Sequence, residues 1–92
     1  MIPIIVCSGT PQPRAVVYGY VETLPEDGKP VLLHQARMVL RWDVHGLFGL
    51  ASIGPVGDTK LTPAVEQVED RLVQQWLRVA PEAAVKLDAW DK

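Results

Sequence analysis

The chain holds one cysteine, one phenylalanine and two histidines among its 92 residues. A lone Cys7 cannot close an intramolecular disulfide, so packing and hydrogen bonds must hold the fold, and a reducing compartment is the natural setting. Cys7, His34 and His45 fall short of the four close ligands that a structural zinc needs, and they lack paired spacing. No metal and no cofactor is expected. A basic excess is missing as well: nine Lys and Arg against eleven Asp and Glu leave a net charge of -2. That balance argues against a DNA or RNA binder, which carries a basic stripe. No apolar run approaches the roughly 18 residues of a membrane span. The opening Met-Ile-Pro-Ile-Ile-Val-Cys lacks the basic leader of a secretory signal. A soluble protein of the cytoplasm is expected. Neither Ser8 nor Ser52 sits in a Gly-x-Ser-x-Gly elbow, and two histidines offer little support for a triad, so an enzyme is not expected.

What the chain does have is apolar character: 48% of its residues are hydrophobic. A length of 92 residues allows one domain, 1–92. A domain of this size buries only about 60–65% of the surface of its unfolded chain. Such richness in so small a body points to a second subunit, and a homo-oligomer is expected.

Residues 2–7 form an Ile/Val run that Ser8 to Pro13 breaks, which reads as a strand and a loop. Ala15 to Glu22 is β-branched and aromatic, with Gly19 marking a bulge or a close backbone approach. Asp27-Gly28 supplies the positive φ of a hairpin turn, making this strand and the next antiparallel neighbours. From Val31 to Trp42 the period is two, and the even positions Leu32, Ala36, Met38, Leu40 and Trp42 are expected to face inward. Asp43-Val44-His45-Gly46 then turns the chain into an expected strand over Leu47–Ile53, which Gly54-Pro55 ends. Beyond it two readings compete over residues 64–79. Val65, Val68, Leu72, Trp76 and Val79 recur at helical spacing, while Val73, Leu77 and Val79 allow a strand. Pro81-Glu82 starts a helix whose buried stripe is Ala83, Leu87 and Trp90.

Several of these segments recur as a pattern. Arg14 to Glu22, Ala36-Arg37-Met38 to Trp42, Gly46 to Pro55, Pro63-Ala64-Val65, and Pro81 to Trp90 together resemble a family of small phage and prophage proteins. The resemblance implies strands between Pro63 and Val79, followed by a short terminal helix. The expected fold is therefore α+β: a small β-rich domain of about five or six mostly antiparallel strands with a short C-terminal helix. Some small phage proteins of this size act as oligomeric sponges that sequester the nucleotide signals of bacterial immunity. By that analogy the chain reads as a non-enzymatic accessory protein acting in the host cytoplasm. The alternative is a protein-binding module that blocks a host factor directly.

A phosphate-containing small ligand sets the candidate site. Arg37 and Arg41, four residues apart on one strand, should point the same way about 13 Å apart, suited to two phosphates or to stacking on a base. Tyr18 and Tyr20 share a face and could stack on a base or cover a subunit contact. Thr59 and Lys60 close the Gly54–Lys60 loop with a hydroxyl and a cation able to meet an anion. Trp42, Trp76 and Trp90, at the apolar ends of their segments, read as core.

Overall fold

A computed structural model of the chain describes residues 1–9, 15–43 and 45–91. The expected loop residues Thr10 to Pro13, Arg14 of the resembling pattern, and Val44 of the turn lie outside the described residues. In chain order the elements are β1 (Ile2–Ser8), β2 (Ala15–Val21), β3 (Val31–Arg41), α1 (Gly46–Ser52), β4 (Lys60–Leu61), β5 (Val65–Asp70), β6 (Val73–Arg78) and α2 (Pro81–Ala89). The six strands make one antiparallel sheet, ordered β4-β3-β2-β1-β6, with β5 also pairing with β3. The α+β class, the strand count and the short C-terminal helix are as expected.

Two residues decide the shape of that sheet. Asp70 lies opposite Val31 at the beginning of β3, whereas Val73 lies opposite Ser8 at the end of β1. Laid flat, β5 and β6 would stand four strand spacings apart, about 19 Å. They would also be offset by most of a strand length along the axis. The three Cα steps from Asp70 to Val73 reach at most about 11 Å. The sheet therefore coils until the start of β3 meets the end of β1. One strand, bent at residues 71–72, closes a small barrel by pairing first with β3 and then with β1.

Coiling gives the sheet two apolar faces. Ile4, Val6, Val17, Val21, Val31, Leu33 and Ala36 fill the barrel, with Val68, Val73 and Trp76 packed against them. The opposite face carries Ile5, Cys7, Val16, Tyr18 and Val39, and is covered by Leu50 and Ala51 of α1 and Ala83, Ala84 and Leu87 of α2. Each buried aliphatic side chain contributes about 1.5–3 kcal/mol, so alternate residues of β1 and β2 stabilise two different layers.

Three expectations are corrected. The strand expected over Leu47–Ile53 is a helix instead: α1 spans Gly46–Ser52 with Ile53 as its C-cap, and Leu50 and Ala51 bury against the sheet while the Ala51 carbonyl accepts the amide of Ala80. A seven-residue apolar run between glycines carries no periodicity that separates the two states. On β3 the even positions do not face inward as a set: Leu32, Met38, Leu40 and Trp42 are each 41–60% exposed. Val31 and Leu33 point into the barrel, Val39 points under the helices, and a bulge changes the alternation between them. The helical stripe over 64–79 is not formed either, since β5 and β6 occupy that segment as the family resemblance implies.

The bulge explains Gly19. Tyr18 pairs with Arg37 but Tyr20 with His34, so β3 carries one extra residue there, and Gln35 adopts φ 51. A Cβ on Gly19 would come within 3.2 Å of Leu33 Cβ and of the His34 carbonyl. Left-handed backbone at a non-glycine residue costs about 1–2 kcal/mol. Gln35→Gly should therefore stabilise the protein by about 0.5–1 kcal/mol after glycine's entropic cost. In a calorimetric scan that raises Tm by about 2–5 °C; a variant melting below the parent contradicts a strained bulge.

Candidate functional site

The strand period sets Tyr18 and Tyr20 on the helix-facing side of β2, with ring centroids 5.8 Å apart at 64°. Both hydroxyls donate to one carboxylate of α2: Tyr18 Oη to Asp88 Oδ1 at 2.8 Å and Tyr20 Oη to Asp88 Oδ2 at 2.6 Å. Burial first, then the hydrogen bond to Asp88 and its negative charge, push the Tyr18 phenol far above its ordinary value. Burial and the bond to Asp88 also raise Tyr20.

Arg37 is the cross-strand partner of Tyr18 and is only 7% exposed. Its guanidinium donates three hydrogen bonds, all to main-chain carbonyls: Nε to Thr62 at 2.7 Å, Nη1 to Leu87 at 2.5 Å and Nη2 to Trp90 at 2.6 Å. Leu87 and Trp90 lie in the last turn of α2 and just past it, where helical carbonyls have no partner in the helix and a cation is favoured. The planar fork of arginine suits this task in a way that a point charge cannot. Trp90 Nε1 in turn donates to the Thr59 carbonyl at 2.7 Å. The Thr59 hydroxyl, fully buried, donates to the Val56 carbonyl at 2.7 Å and closes the turn that presents it.

Tyr18, Tyr20, Arg37 and Thr59 are thus brought together, around α2 rather than around an open ligand space. Arg37 and Arg41 do not act as a matched pair, because one is buried under the helix and the other is solvent-exposed. Trp76 and Trp90 pack against the core as expected, whereas Trp42 is 41% exposed. Asp88, Thr62 and the helix-end carbonyls escaped the sequence reading. The spacing of Asp88 one residue beyond buried Leu87 was the available signal.

Arg41 and Lys60 remain at the surface. They are Cα partners where the β3–β4 register shifts, so two like charges stand at facing backbone positions. Directly opposed like charges are unfavourable by a few tenths of a kcal/mol. The only ion pair they make among the described residues is between Arg41 and Asp58, at a loose 4.0 Å. Asp43 steadies the same loop by accepting the Asp58 amide at 3.0 Å.

Two of the larger hollows among the described residues open on this surface. A cleft of about 580 Å³ separates the β2–β3 turn, Pro25 to Val31, from Arg71 and Val73 to Trp76. An open, mostly apolar groove of about 590 Å³ runs between Phe48 on α1 and Leu77, Arg78 and Pro81. No helix among the described residues is long and apolar enough to cross a membrane.

With this geometry in place, the comparison with known families is decisive for membership alone. A family model covers residues 1–87. The chain belongs to that family, described as a domain of unknown function (DUF6948). No curated protein and no solved structure matches it. The match takes in Arg37, both tyrosines and the Arg41–Lys60 pair, and ends just before Asp88.

Two outcomes follow from the clasp on α2. Arg37→Met leaves three carbonyls without their charged donor and should cost about 3 kcal/mol or more, read by urea unfolding. The raised phenols hold stability that is complete below the ordinary tyrosine value of 10.0 and lost as pH climbs above it, because only the unfolded chain then releases those protons. Tyr18→Phe with Tyr20→Phe should flatten the decline in Tm between pH 9 and 11; an unchanged slope would place that sensitivity elsewhere.

Proposed function

We propose that this protein is a non-enzymatic accessory protein of phage or prophage origin, a homo-oligomer that captures a small phosphate-containing ligand in the host cytoplasm. A nucleotide signal of bacterial immunity is the class of ligand that fits this reading. The observation that carries it is the Arg41–Lys60 pair, two exposed cations at facing backbone positions with a loosely placed counter-charge. An incoming phosphate relieves their repulsion and displaces Asp58, and the Arg41 guanidinium can meet it in bidentate fashion. Exposed Phe48 and Leu40, 70% and 60% accessible, supply apolar surface for association between copies. A second reading, direct inhibition of a host protein, draws on the apolar groove beside Phe48, a hollow suited to an anchoring side chain.

A thermal-shift panel of linear and cyclic nucleotides at low salt tests the capture. At a hundredfold excess over Kd the ligand adds about 2.7 kcal/mol, which raises Tm by about 10 °C or more. Arg41→Ala with Lys60→Ala should remove that shift while leaving the unliganded Tm within about 2 °C, since exposed ion pairs contribute little. A panel without any shift overturns the reading, and light scattering that returns only monomer overturns its oligomeric half.

A further inference from the structure

Granted the phosphate capture proposed above, we infer that Trp42 is the stacking platform of the same site. The ligand is then a small free nucleotide, with its phosphate on Arg41 and Lys60 and its base on the open face of the indole.

The three tryptophans have unlike surroundings. Trp76 packs on the barrel core, and Trp90 packs on the helix-facing core with its Nε1 donating to the Thr59 carbonyl. Trp42 belongs to neither cluster and makes no hydrogen bond, ring contact or cation contact among the described residues. It is 41% exposed. On a scale where an aromatic side chain buries up to about 250 Å², that leaves about 100 Å² open, enough to show one face of the ring.

One short loop brings this ring and the cations together. The Arg41 guanidinium lies 4.0 Å from the Asp58 carboxylate. Trp42 lines a hollow with the next residue, Thr59, and with Leu50 and Val56. Lys60 comes next and opens β4. Trp42 itself lies past the last residue of β3, where strand alternation no longer sends it to the side opposite Arg41. The hollow holds only about 10 Å³, no more than the space of one water. A base cannot enter it, and can be met only on the exposed face.

Charge selects what lies on the ring. Asp43 follows Trp42, and its carboxylate accepts the Asp58 amide. A second phosphate beside the indole would meet that negative charge, whereas a neutral base does not. Every base has a face that stacks on an aromatic ring, so the platform separates nucleotides from sugar phosphates rather than one base from another. Two carboxylates beside the cations, in a chain of net charge -2, suit a single nucleotide and oppose a long polyanion.

Calorimetric titration at low salt with adenosine 5′-monophosphate and ribose 5-phosphate, which differ by the base alone, tests this. The nucleotide should bind about tenfold or more tightly than the sugar phosphate. Trp42→Ala should bring the two together, with ribose 5-phosphate within about twofold of its parent value, and Trp42→Phe should keep part of the difference. Arg41→Ala with Lys60→Ala should instead weaken both ligands alike, by about tenfold or more. Adenosine 5′-monophosphate should also quench the tryptophan emission of the parent but not that of Trp42→Phe, which keeps Trp76 and Trp90. Equal binding of the two ligands, or quenching that survives in Trp42→Phe, overturns the platform and leaves the phosphate capture standing. Binding of neither at millimolar concentration removes both. An oligoadenylate of six nucleotides that binds more than about tenfold tighter than the monophosphate, with a steep fall in salt, would make the partner a nucleic-acid strand and also overturns the proposal.

Discussion

The fold hangs on a buried guanidinium. Arg37 reaches from the middle of the sheet to three carbonyls, one in the segment after β4 and two at the end of α2. A charge taken from water is costly unless it is hydrogen-bonded, and here the Thr62 carbonyl and two carbonyls at the end of α2 meet it. The same side chain thereby fixes where α2 stops, how it crosses β2 and β3, and where the Thr59–Thr62 segment returns to the sheet. Asp88 and the two tyrosines lock the helix from the side. Because α2 buries only Ala83, Ala84 and Leu87, its apolar contact is small, and these polar contacts decide its register.

The second constraint is the short path from Asp70 to Val73. It forces the sheet to coil, gives the barrel its own core, and frees the outer face for the two helices. Coiling also creates the cleft, since a strand that leaves β3 to join β1 must show an edge on each side of its bend. The surface chemistry divides accordingly: acidic residues on β5, a run without charge from Val73 to Leu77 on β6, and a pair of cations where β4 meets β3.

Much of the architecture was legible in the pattern of residues. The Ile/Val run of β1, the aromatic run of β2 around Gly19 and the Asp27-Gly28 turn each carry local chemistry that tertiary context does not overrule. Pro81-Glu82 likewise marks the start of α2. Residues 47–53 were not legible because α1 is stabilised by burial against the sheet and by the Ala80 amide, contacts remote in sequence. Glu66 to Gln75 reads as helix by composition, yet the barrel needs those residues to pair β3 and β1. Of the candidate site, the residue types were right for recognition, but Arg37, Tyr18, Tyr20 and Thr59 serve the protein's own helix, and only Arg41 and Lys60 stay open to solvent.

Sequence by itself determined the alternation of β1 and β2, the hairpin between β2 and β3, the terminal helix and the lack of a disulfide framework, because each rests on neighbours within a few positions. Tertiary structure alone decided which arginine is buried, which strand edge is left open and whether a seven-residue apolar run coils or extends. Those outcomes depend on what lies across the sheet, and a guanidinium or an amide takes whichever acceptor the closed barrel brings within reach.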